Sequence, residues 1–485
     1  MKGLSVQGAR KERDSRVAII ALIVAFIALN LVFTYLVSTF GWYFLATDLQ
    51  FYTLSGVTDE YFERVNPDER PVTLYLCMSE AELKEDNTLH RILDTVEQFD
   101  ERYDFLTVEH LNTYYDFAKL DRFAKEHETV LTSHSVILYA PDTGKSELLA
   151  LADFYYFDEN GTTDDMVFAG EELVAGAIGA VLADERPTAV FTTGHGELST
   201  LSAVNTLYAA GFDIKTQDLS SEEIPEECNL IIISAPRYDF EEYADATITS
   251  EITRLRAFIA RGGTVLYLRD ASVGSLPRLD AFFGSMGIVP SEGVVIDPTY
   301  SVDLSGSAIL LRYDGGEGTA AIRERAQKYS DARLAGAAVG ALAVASGDGY
   351  RAQSLLTSHD TAYRSVNGES VYDAPEAGYT VAAYSEVEST RGTVGYAVCI
   401  SAGAFTEQTQ METAGYGNKP FLLSVLMETT DAVAPIGSGV VLLNTYPLED
   451  MTRGVANTYL ILLAGVLPLC IAVVGYAVVR RRTRH

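Results

Sequence analysis

Cysteine is scarce in this chain, with four residues in 485. The four lie far apart in the sequence, so they do not form the framework that holds a disulfide-stabilised domain together. No C-x-x-C pair occurs, and the seven histidines do not cluster at the spacing of metal ligands. The sequence therefore excludes redox chemistry of the C-x-x-C type and predicts neither a metal site nor a cofactor.

Two enzyme motifs are also missing. Gly144-Lys145-Ser146 resembles the end of a phosphate-binding loop, but the glycine required five positions earlier is replaced by Tyr139. No Gly-x-Ser-x-Gly nucleophile elbow occurs either. We therefore expect neither ATP binding nor serine-hydrolase chemistry, and any energy from ATP must come from a partner protein.

Basic side chains are the minority charge, with 36 Lys and Arg against 67 Asp and Glu. They concentrate at the two ends, where the tails 1–16 and 480–485 carry +3 and +4. The remainder of the net charge of -31 is therefore -38 for the stretch 17–479. So much negative charge disfavours nucleic acid and anionic lipid head groups as partners of this stretch.

Two long hydrophobic runs carry no charged residue, 17–37 and 455–479. Each is long enough for a helix to cross a hydrocarbon core of about 30 Å. Aromatic side chains follow the first run and suit the membrane interface, so we assign the first span to 17–44. The basic tails 1–16 and 480–485 flank both spans and predict cytoplasmic termini in a bacterial-type cell membrane. The alternative is a soluble protein in which both runs form buried core helices.

The extracytoplasmic region between the spans is predicted to be an α/β ectodomain. In the first part, 45–184, strands and amphipathic helices alternate in the order β-α-β-α-β-β-α, which is typical of a thioredoxin-like unit. In the second part, 185–450, continuous β-branched strands alternate with helices and indicate a doubly wound parallel sheet. The weakly patterned stretch of about 297–350 is expected to be an irregular or partly helical insertion.

One candidate site follows the first strand of the second part. Gly194, His195, Gly196 and Glu197 lie where such sheets bind ligands, at the carboxyl end of a strand. Asp270 follows a later strand and either faces the same crevice or caps the next helix. Either His195 and Glu197 contact a ligand or partner, or the glycines shape a turn and Glu197 caps a helix.

Several short segments along nearly the whole chain share an order with one known family. They are Thr47-Asp48-Leu49, Thr53-Leu54-Ser55, Arg70-Pro71-Val72, Gly170-Glu171-Glu172, Thr193-Gly194-His195-Gly196-Glu197, Ala260-Arg261-Gly262-Gly263-Thr264, Leu355-Leu356-Thr357-Ser358, Gly417-Asn418-Lys419-Pro420-Phe421 and Arg480-Arg481-Arg482. Together with the two spans, they resemble the GldG-type auxiliary subunit of ABC transport systems. The Ala- and Gly-rich segment 335–345 departs from this resemblance.

The resemblance implies a fold and partners. In this family the second domain is similar to class I glutamine amidotransferases, and the partners are an ABC ATPase and a multispan permease. Those amidotransferases need a cysteine nucleophile on a strand-to-helix elbow. After the strand 264–268 this chain has Arg269-Asp270-Ala271-Ser272, without a cysteine. We therefore expect a binding fold that is not an enzyme.

Three hypotheses follow from the sequence. The first is a non-catalytic accessory subunit of an ABC transport system, whose ectodomain binds a substrate, a small-molecule ligand, an envelope glycan or another partner. The second is a membrane-anchored cell-envelope hydrolase that uses His195, Glu197 and Asp270. The third is a purely structural scaffold, for which substitution of His195 changes nothing.

The topology can be tested by proteolysis of intact spheroplasts that express the chain with an epitope tag at each end. We expect the protease to degrade the acidic region 45–450 and to leave both tags protected, because the basic tails face the cytoplasm. Inverted vesicles serve as the control and should lose both tags. Protection of the acidic region in spheroplasts, or extraction without detergent, would contradict the two-span topology.

Overall fold

The computed structural model of the chain describes residues 54–66, 68–156, 167–198, 201–242, 250–303, 305–328, 332–389, 392–412, 416–430, 432–435, 441–442 and Arg480. The predicted spans, 17–44 and 455–479, lie outside these residues. In the part of the chain that is described, no helix is long and apolar enough to cross a membrane. All of the described residues belong to one unit, 52–485.

The first part of this unit is built around a small mixed sheet. In chain order its elements are α1 (Gly56–Val65), β1 (Val72–Leu76), α2 (Glu80–Glu85), α3 (Asn87–Arg102), β2 (Leu106–His110), α4 (Phe117–Glu126), β3 (Ser135–Tyr139), β4 (Ser146–Ala150), a 3-10 turn (Leu151–Phe154), β5 (Tyr155–Tyr156), β6 (Val167–Phe168) and α5 (Gly170–Leu182). The strand order is β2-β1-β3-β4. β1 is parallel to β2 and antiparallel to β3. The predicted order β-α-β-α-β-β-α is present, with α1, α2, the 3-10 turn, β5 and β6 in addition.

Helix α3 shows why this part folds as the periodicity predicts. Ile92, Leu93, Val96 and Phe99 recur at helical spacing and are fully buried in one core cluster. The side chain of Asp86 accepts hydrogen bonds from the first-turn amides of this helix and caps it. One apolar stripe therefore fixes the helix against the sheet.

The second part contains the larger sheet. Its elements are β7 (Thr188–Thr192), α6 (Leu201–Ala209), β8 (Asp213–Gln217), β9 (Cys228–Ser234), α7 (Glu251–Ala260), β10 (Thr264–Leu268), α8 (Pro277–Gly284), β11 (Ile288–Pro290), β12 (Val294–Ile296), β13 (Ala308–Tyr313), a 3-10 turn (Glu317–Thr319), α9 (Ala320–Gln327), β14 (Leu334–Ala337), β15 (Leu342–Val344), β16 (Tyr350–Thr357), β17 (Tyr363–Val366), β18 (Glu369–Val371), β19 (Thr380–Glu388), β20 (Val394–Ile400), α10 (Gln408–Glu412), α11 (Asn418–Thr429) and β21 (Val441–Leu442).

The centre of the larger sheet is parallel, with strand order β8-β7-β9-β10-β20. Successive residues of its strands point to opposite faces, and both faces are covered. Phe191 and Ile232 lie in one core cluster, while their neighbours Val190 and Ile231 lie in another. This explains the continuous apolar runs in the sequence. The prediction of an α/β fold class is therefore confirmed for the described part of the chain.

The stretch 297–350, for which the sequence predicts an irregular or partly helical insertion, contains β13, α9, β14 and β15. β13 pairs with β16, and β15 pairs with β19, so both extend the larger sheet on its antiparallel side. β14 has the sequence LAGA, in which a side chain at Gly336 would contact Ala402. Small residues allow this close packing, but they give a weak strand signal in the sequence.

A pair of adjacent carboxylates at the start of α5 connects distant parts of the unit. The side chain of Glu171 accepts three hydrogen bonds, from the backbone N–H of Ser55 (2.8 Å), the Ser55 hydroxyl (2.7 Å) and the Thr58 hydroxyl (2.5 Å). Glu172 forms an ion pair with Lys419 of α11, with 2.5 Å between Oε2 and Nζ. Their side chains are 2% and 9% exposed. The start of α5 thus holds both α1 and α11.

The first and last described stretches of the unit also lie close to one another. Leu54 belongs to a core cluster against which Val433 packs. Val57 and Ala434 line the same small cavity. The short strand β21 pairs with β6, immediately before α5. The two ends of the stretch 54–434 therefore lie close together.

Replacement of Lys419 tests the importance of this junction. Lys419→Met removes the cation from a buried ion pair, so we expect the free energy of unfolding to fall by about 3–5 kcal/mol. It can be measured by urea unfolding of the full chain in mild detergent.

The matched control is Lys125→Met, because Lys125 pairs with Asp121 on the surface, with side chains 75% and 37% exposed. A loss below about 1 kcal/mol is expected there. Adding Glu172→Gln to Lys419→Met should recover part of the larger loss. Equal effects of Lys419→Met and Lys125→Met would show that the buried pair has no special role.

Candidate functional site

The predicted site lies at the carboxyl ends of β7 and β9. From β7 the chain passes to β8 on one side of it and then crosses to β9 on the other side, so the gap between β7 and β9 is the topological switch point of the sheet. Doubly wound sheets bind ligands at this point. Two loops meet here. The backbone N–H groups of Arg237 and Tyr238, after β9, both donate to the carbonyl oxygen of His195, after β7, at 2.8 and 3.0 Å. The Leu198 N–H donates to the carbonyl of Ser234 at 2.9 Å.

The imidazole of His195 is held from three directions. Its Nε2 lies 3.1 Å from Oε2 of Glu251, and its Nδ1 lies 3.4 Å from Oε1 of Glu197. The ring stacks on Phe240, with 4.0 Å between the centroids and 11° between the planes. His195 is 8% exposed, and the Glu197 and Glu251 side chains are 4% and 1% exposed. The histidine is therefore part of a buried, charged cluster.

The two glycines give the loop its shape. Gly194 has φ +108° and Gly196 has φ +72°, which is the region that residues with a Cβ rarely adopt. This path brings the His195 N–H to 2.7 Å from Oε2 of Glu197. Glu197 therefore accepts a backbone and a ring hydrogen bond from the same histidine. The glycines shape a turn, as one of the two sequence hypotheses states, and the hydrogen bonds of Glu197 described here run back into that turn.

The charges in this cluster set its protonation. Burial alone lowers the pKa of His195, but its hydrogen bonds to Glu197 and Glu251 and their negative charges more than offset this and raise the pKa to about 9. Burial raises the pKa of Glu197, but hydrogen bonds from His195 and from the loop amides outweigh it and leave this pKa below its ordinary value. At neutral pH the ring is therefore an imidazolium ion.

This arrangement has a direct chemical consequence. A histidine that acts as a general base needs a free ring nitrogen within reach of the substrate. Both nitrogens of His195 are directed at buried carboxylates, and the ring carries a proton on each. In this geometry the histidine holds the two loops together, and the groups left accessible to a ligand are those around it.

The accessible rim consists of Leu198, Arg237 and Tyr238. Leu198 is 51% exposed and Tyr238 is 68% exposed, although both are large apolar or aromatic side chains. Tyr238 and the Cβ of Arg237 lie beside Gly196, within 3.5 Å of where a side chain at that position would begin. Exposed aromatic and arginine side chains are common in recognition surfaces. The rim, more than His195 itself, is suited to contact a partner.

Sequence reasoning missed Glu251 and Phe240. Glu251 lies 56 residues from His195 and is the first residue of α7, where an acidic residue is expected for helix stability alone. Its Oε2 also accepts a hydrogen bond from the Glu241 N–H at 2.7 Å, whereas its Oε1 has no hydrogen-bond partner among the described residues. No local signal in the sequence distinguishes this glutamate from an ordinary helix-capping one.

Asp270 is placed differently from the other candidates. Its Oδ1 accepts hydrogen bonds from the N–H and the hydroxyl of Ser272, at 2.8 and 2.6 Å, so it stabilises a local turn. The backbone around it is bonded toward β20 and β14, through Arg269 to Ile400 and through Ala271 to Ala338. Within the described ranges, no hydrogen bond joins Asp270 to the histidine cluster.

The cysteines in the described part of the chain do not supply a reactive thiol near this site. Cys77, Cys228 and Cys399 are buried. Burial raises the pKa of Cys77 and Cys228 to about 11 and that of Cys399 to about 12. A thiol must ionise to act as a nucleophile, which these pKa values oppose at neutral pH. No group of His, Cys, Asp and Glu suited to a metal ion occurs among the described residues.

The raised pKa of His195 predicts a pH dependence of stability. A group whose pKa is higher in the folded state stabilises the fold fully below its unfolded pKa of about 6.5, and this stabilisation is lost as the pH rises through about 9. We expect His195→Gln to lower the free energy of unfolding by about 3 kcal/mol near pH 6. The difference between variant and wild type should shrink toward about pH 10.

Urea unfolding of both proteins across this pH range checks the prediction. The control is His90→Gln, because His90 pairs with Asp94 on the surface, with side chains 43% and 39% exposed. Its effect on the free energy of unfolding near pH 6 should be small, below about 1 kcal/mol. A constant difference between His195→Gln and wild type from pH 6 to pH 10 would show that the imidazolium does not stabilise the fold.

Comparisons with known proteins identify no family. No family model matches the chain, and no curated protein matches it. Among solved structures, the mmIFT52 N-terminal domain is 14% identical, covering 50% of this chain and 96% of that one, with a TM-score of 0.38. A ThuA-like protein from Bacteroides uniformis is 14% identical, covering 50% and 89%, with a TM-score of 0.33. PurLQS from Thermotoga maritima is 14% identical, covering 50% and 99%, with a TM-score of 0.27. Similarities this low carry no argument about function.

Proposed function

We propose that this chain is a non-catalytic accessory subunit of a GldG-type ABC transport system. In this proposal the spans 17–44 and 455–479 anchor it in a cell membrane and dock on a multispan permease. The extracytoplasmic domain uses the rim around His195 to recognise a substrate, an envelope component or a partner protein. ATP is hydrolysed by a separate ATPase subunit.

The observation that supports a non-catalytic role most strongly is the state of His195. An amidotransferase-like or hydrolase site needs a histidine that can take a proton from a nucleophile. Here the two ring nitrogens are bonded to Glu197 and Glu251, at 3.4 and 3.1 Å respectively. The position after β10 holds Asp270, whose carboxylate is engaged in a turn with Ser272. Among the described residues, this arrangement leaves no ring nitrogen of His195 free to act as a base, and Asp270 is engaged in its own turn.

Strand order supports the finer fold assignment within the proposal. The parallel order β8-β7-β9-β10-β20 is that of a doubly wound sheet with one switch point, as expected of an amidotransferase-like unit. The order β2-β1-β3-β4, with β3 antiparallel to its neighbours, fits a thioredoxin-like unit. We therefore propose these two units as the two parts of the ectodomain.

Three of the sequence segments that carry the family resemblance come together in the structure. Ser55, Glu171 and Glu172, and Lys419 form the junction at the start of α5. These segments lie more than 100 residues apart in the sequence, with separations of 116 and 247 positions. Their convergence gives the shared motifs a common structural role, the positioning of the segments that lead toward the two predicted spans. This supports the resemblance without depending on any single motif.

Co-purification tests the proposal. The full chain, tagged and extracted in mild detergent from its native cells, should recover an ABC ATPase and a multispan membrane protein, while the purified chain alone hydrolyses no ATP. Removal of residues 455–485 should abolish recovery of the permease, because that interaction is assigned to the spans.

The rim and the histidine give matched variants for the same experiment. Tyr238→Ala should impair transport while leaving the complex with the ATPase and permease intact, whereas Tyr372→Ala, an exposed tyrosine on the β17–β18 hairpin side of the domain, should have no effect. Recovery of neither ATPase nor permease would refute the accessory role. Hydrolytic turnover of a glycan or amide that is lost in correctly folded His195→Ala protein would favour the envelope hydrolase instead.

A further inference from the structure

A cavity lies between the small sheet and the larger sheet, and its lining includes none of His195, Glu197, Phe240 and Glu251. It has a volume of about 650 Å³. One wall comes from β4 and the turn after it, including Glu147 and Asp153. The other wall comes from α6 and the start of β8, including Leu201 and Tyr208. Cavities of this size at the boundary between two folded layers are typical small-molecule sites.

Arg186 lies at the base of this cavity and connects its two walls. It is located in the link between α5 and β7, and its side chain is 15% exposed. Its Nη1 lies 3.2 Å from Oε2 of Glu147 on the first sheet, and its Nε lies 3.3 Å from Oδ1 of Asp213 on the second sheet. Tyr208 donates a hydrogen bond from its hydroxyl to Glu147. The base is therefore a fixed, hydrogen-bonded floor.

The charges of the lining favour a positively charged ligand. Glu147, Asp153 and Asp213 contribute three carboxylates, and Arg186 is the one cation among the described lining residues. An excess of negative charge in a cleft with low-dielectric walls concentrates cations and repels anions. Arg186 pairs with Glu147 and Asp213, so the three carboxylates and one guanidinium leave a lining charge of -2.

The remaining lining groups favour an apolar or aromatic body on that ligand. Tyr155, Tyr208, Leu173 and Phe212 form its deeper walls, and Leu201 stands at the rim with 61% exposure. Tyrosine faces attract organic ammonium groups and also pack against apolar groups. Asp153 has its Oδ2 bonded to the Ala150 N–H at 2.7 Å, which holds the carboxylate at the cavity edge.

From this lining we propose that the cavity between the two sheets binds an organic cation that carries an aromatic or aliphatic body. The ammonium group lies beside the carboxylates of Asp153 and Asp213, since both oxygens of Glu147 are engaged by Arg186 and Tyr208, and the body packs against Tyr208 and Leu201 of α6. This site is separate from the rim proposed to recognise the transport partner. The proposal of an organic-cation site does not depend on the transport proposal.

Tyramine, a small aromatic ammonium ion, is the probe for this site, and 4-hydroxyphenylacetate is its anionic counterpart. Binding of each to the full chain in nanodiscs can be measured by saturation-transfer NMR and calorimetry, with empty nanodiscs as the blank. We expect saturable binding of tyramine with a Kd at or below about 1 mM and at least tenfold weaker binding of the anion.

Two variants localise the binding. Asp153→Asn keeps the acceptor for the Ala150 N–H but removes the charge, and should weaken tyramine binding at least threefold. Leu201→Trp fills the rim from an exposed position that the fold tolerates, and should weaken it at least tenfold. Asp121→Asn, on the surface of α4, is the control and should leave binding unchanged. Urea unfolding of each variant verifies that the fold is retained.

Several results would overturn the proposal. They are the absence of saturable tyramine binding up to about 10 mM, equal binding of the cation and the anion, and unchanged binding in both Asp153→Asn and Leu201→Trp. An equal loss in Asp121→Asn would likewise show that only the overall negative charge attracts the probe. Failure of the co-purification experiment would leave these measurements unaffected.

Discussion

Two neighbouring carboxylates at the start of α5 constrain the rest of this structure. Glu171 and Glu172 point in different directions, one to the hydroxyls and amide of α1 and the other to the ammonium group of Lys419. Burial of charge is costly unless each charge is compensated, and both carboxylates are compensated by groups far away in the sequence. Both α1 and α11 must therefore be packed against the start of α5 for these carboxylates to be compensated. Two residues that are adjacent in the sequence thus depend on contacts with residues more than 100 positions away.

The His195 cluster applies the same principle to a loop. Two carboxylates and one imidazolium are removed from water where β7 and β9 end. The bonds to Glu197 stay within the loop after β7, whereas those to Glu251 join that loop and the loop after β9 to α7. The arrangement fixes the path of two loops that would otherwise be free at the switch point of the sheet. Rigidity at that place benefits recognition, because a preformed surface loses less conformational entropy on binding. It is poorly suited to proton transfer, for which the ring nitrogens must be available.

Much of this fold could be predicted from local patterns, because those patterns reflect burial. The LIIIS run of β9 and the apolar stripe of α3 are buried on the faces that periodicity assigns. By contrast, β14 packs through alanine and glycine, so its sequence carries little strand signal. The GHGE loop was visible as a turn with ionisable side chains, but its partners were not, since Glu251 is 56 residues away and looks like an ordinary helix-start glutamate. The carboxylate of Asp270 likewise accepts hydrogen bonds from Ser272, and the pattern of charges in the sequence does not predict this contact.

The closeness of the two ends of the stretch 54–434 has a consequence for how this stretch can be joined to other polypeptides. Leu54 belongs to a core cluster against which Val433 packs, so the residues between them begin and end at neighbouring positions. A domain whose ends are close together can be inserted into another protein, or deleted from it, without separating the residues on either side of the insertion point. Changes in the length of the flanking segments therefore need not disturb the packing within this stretch.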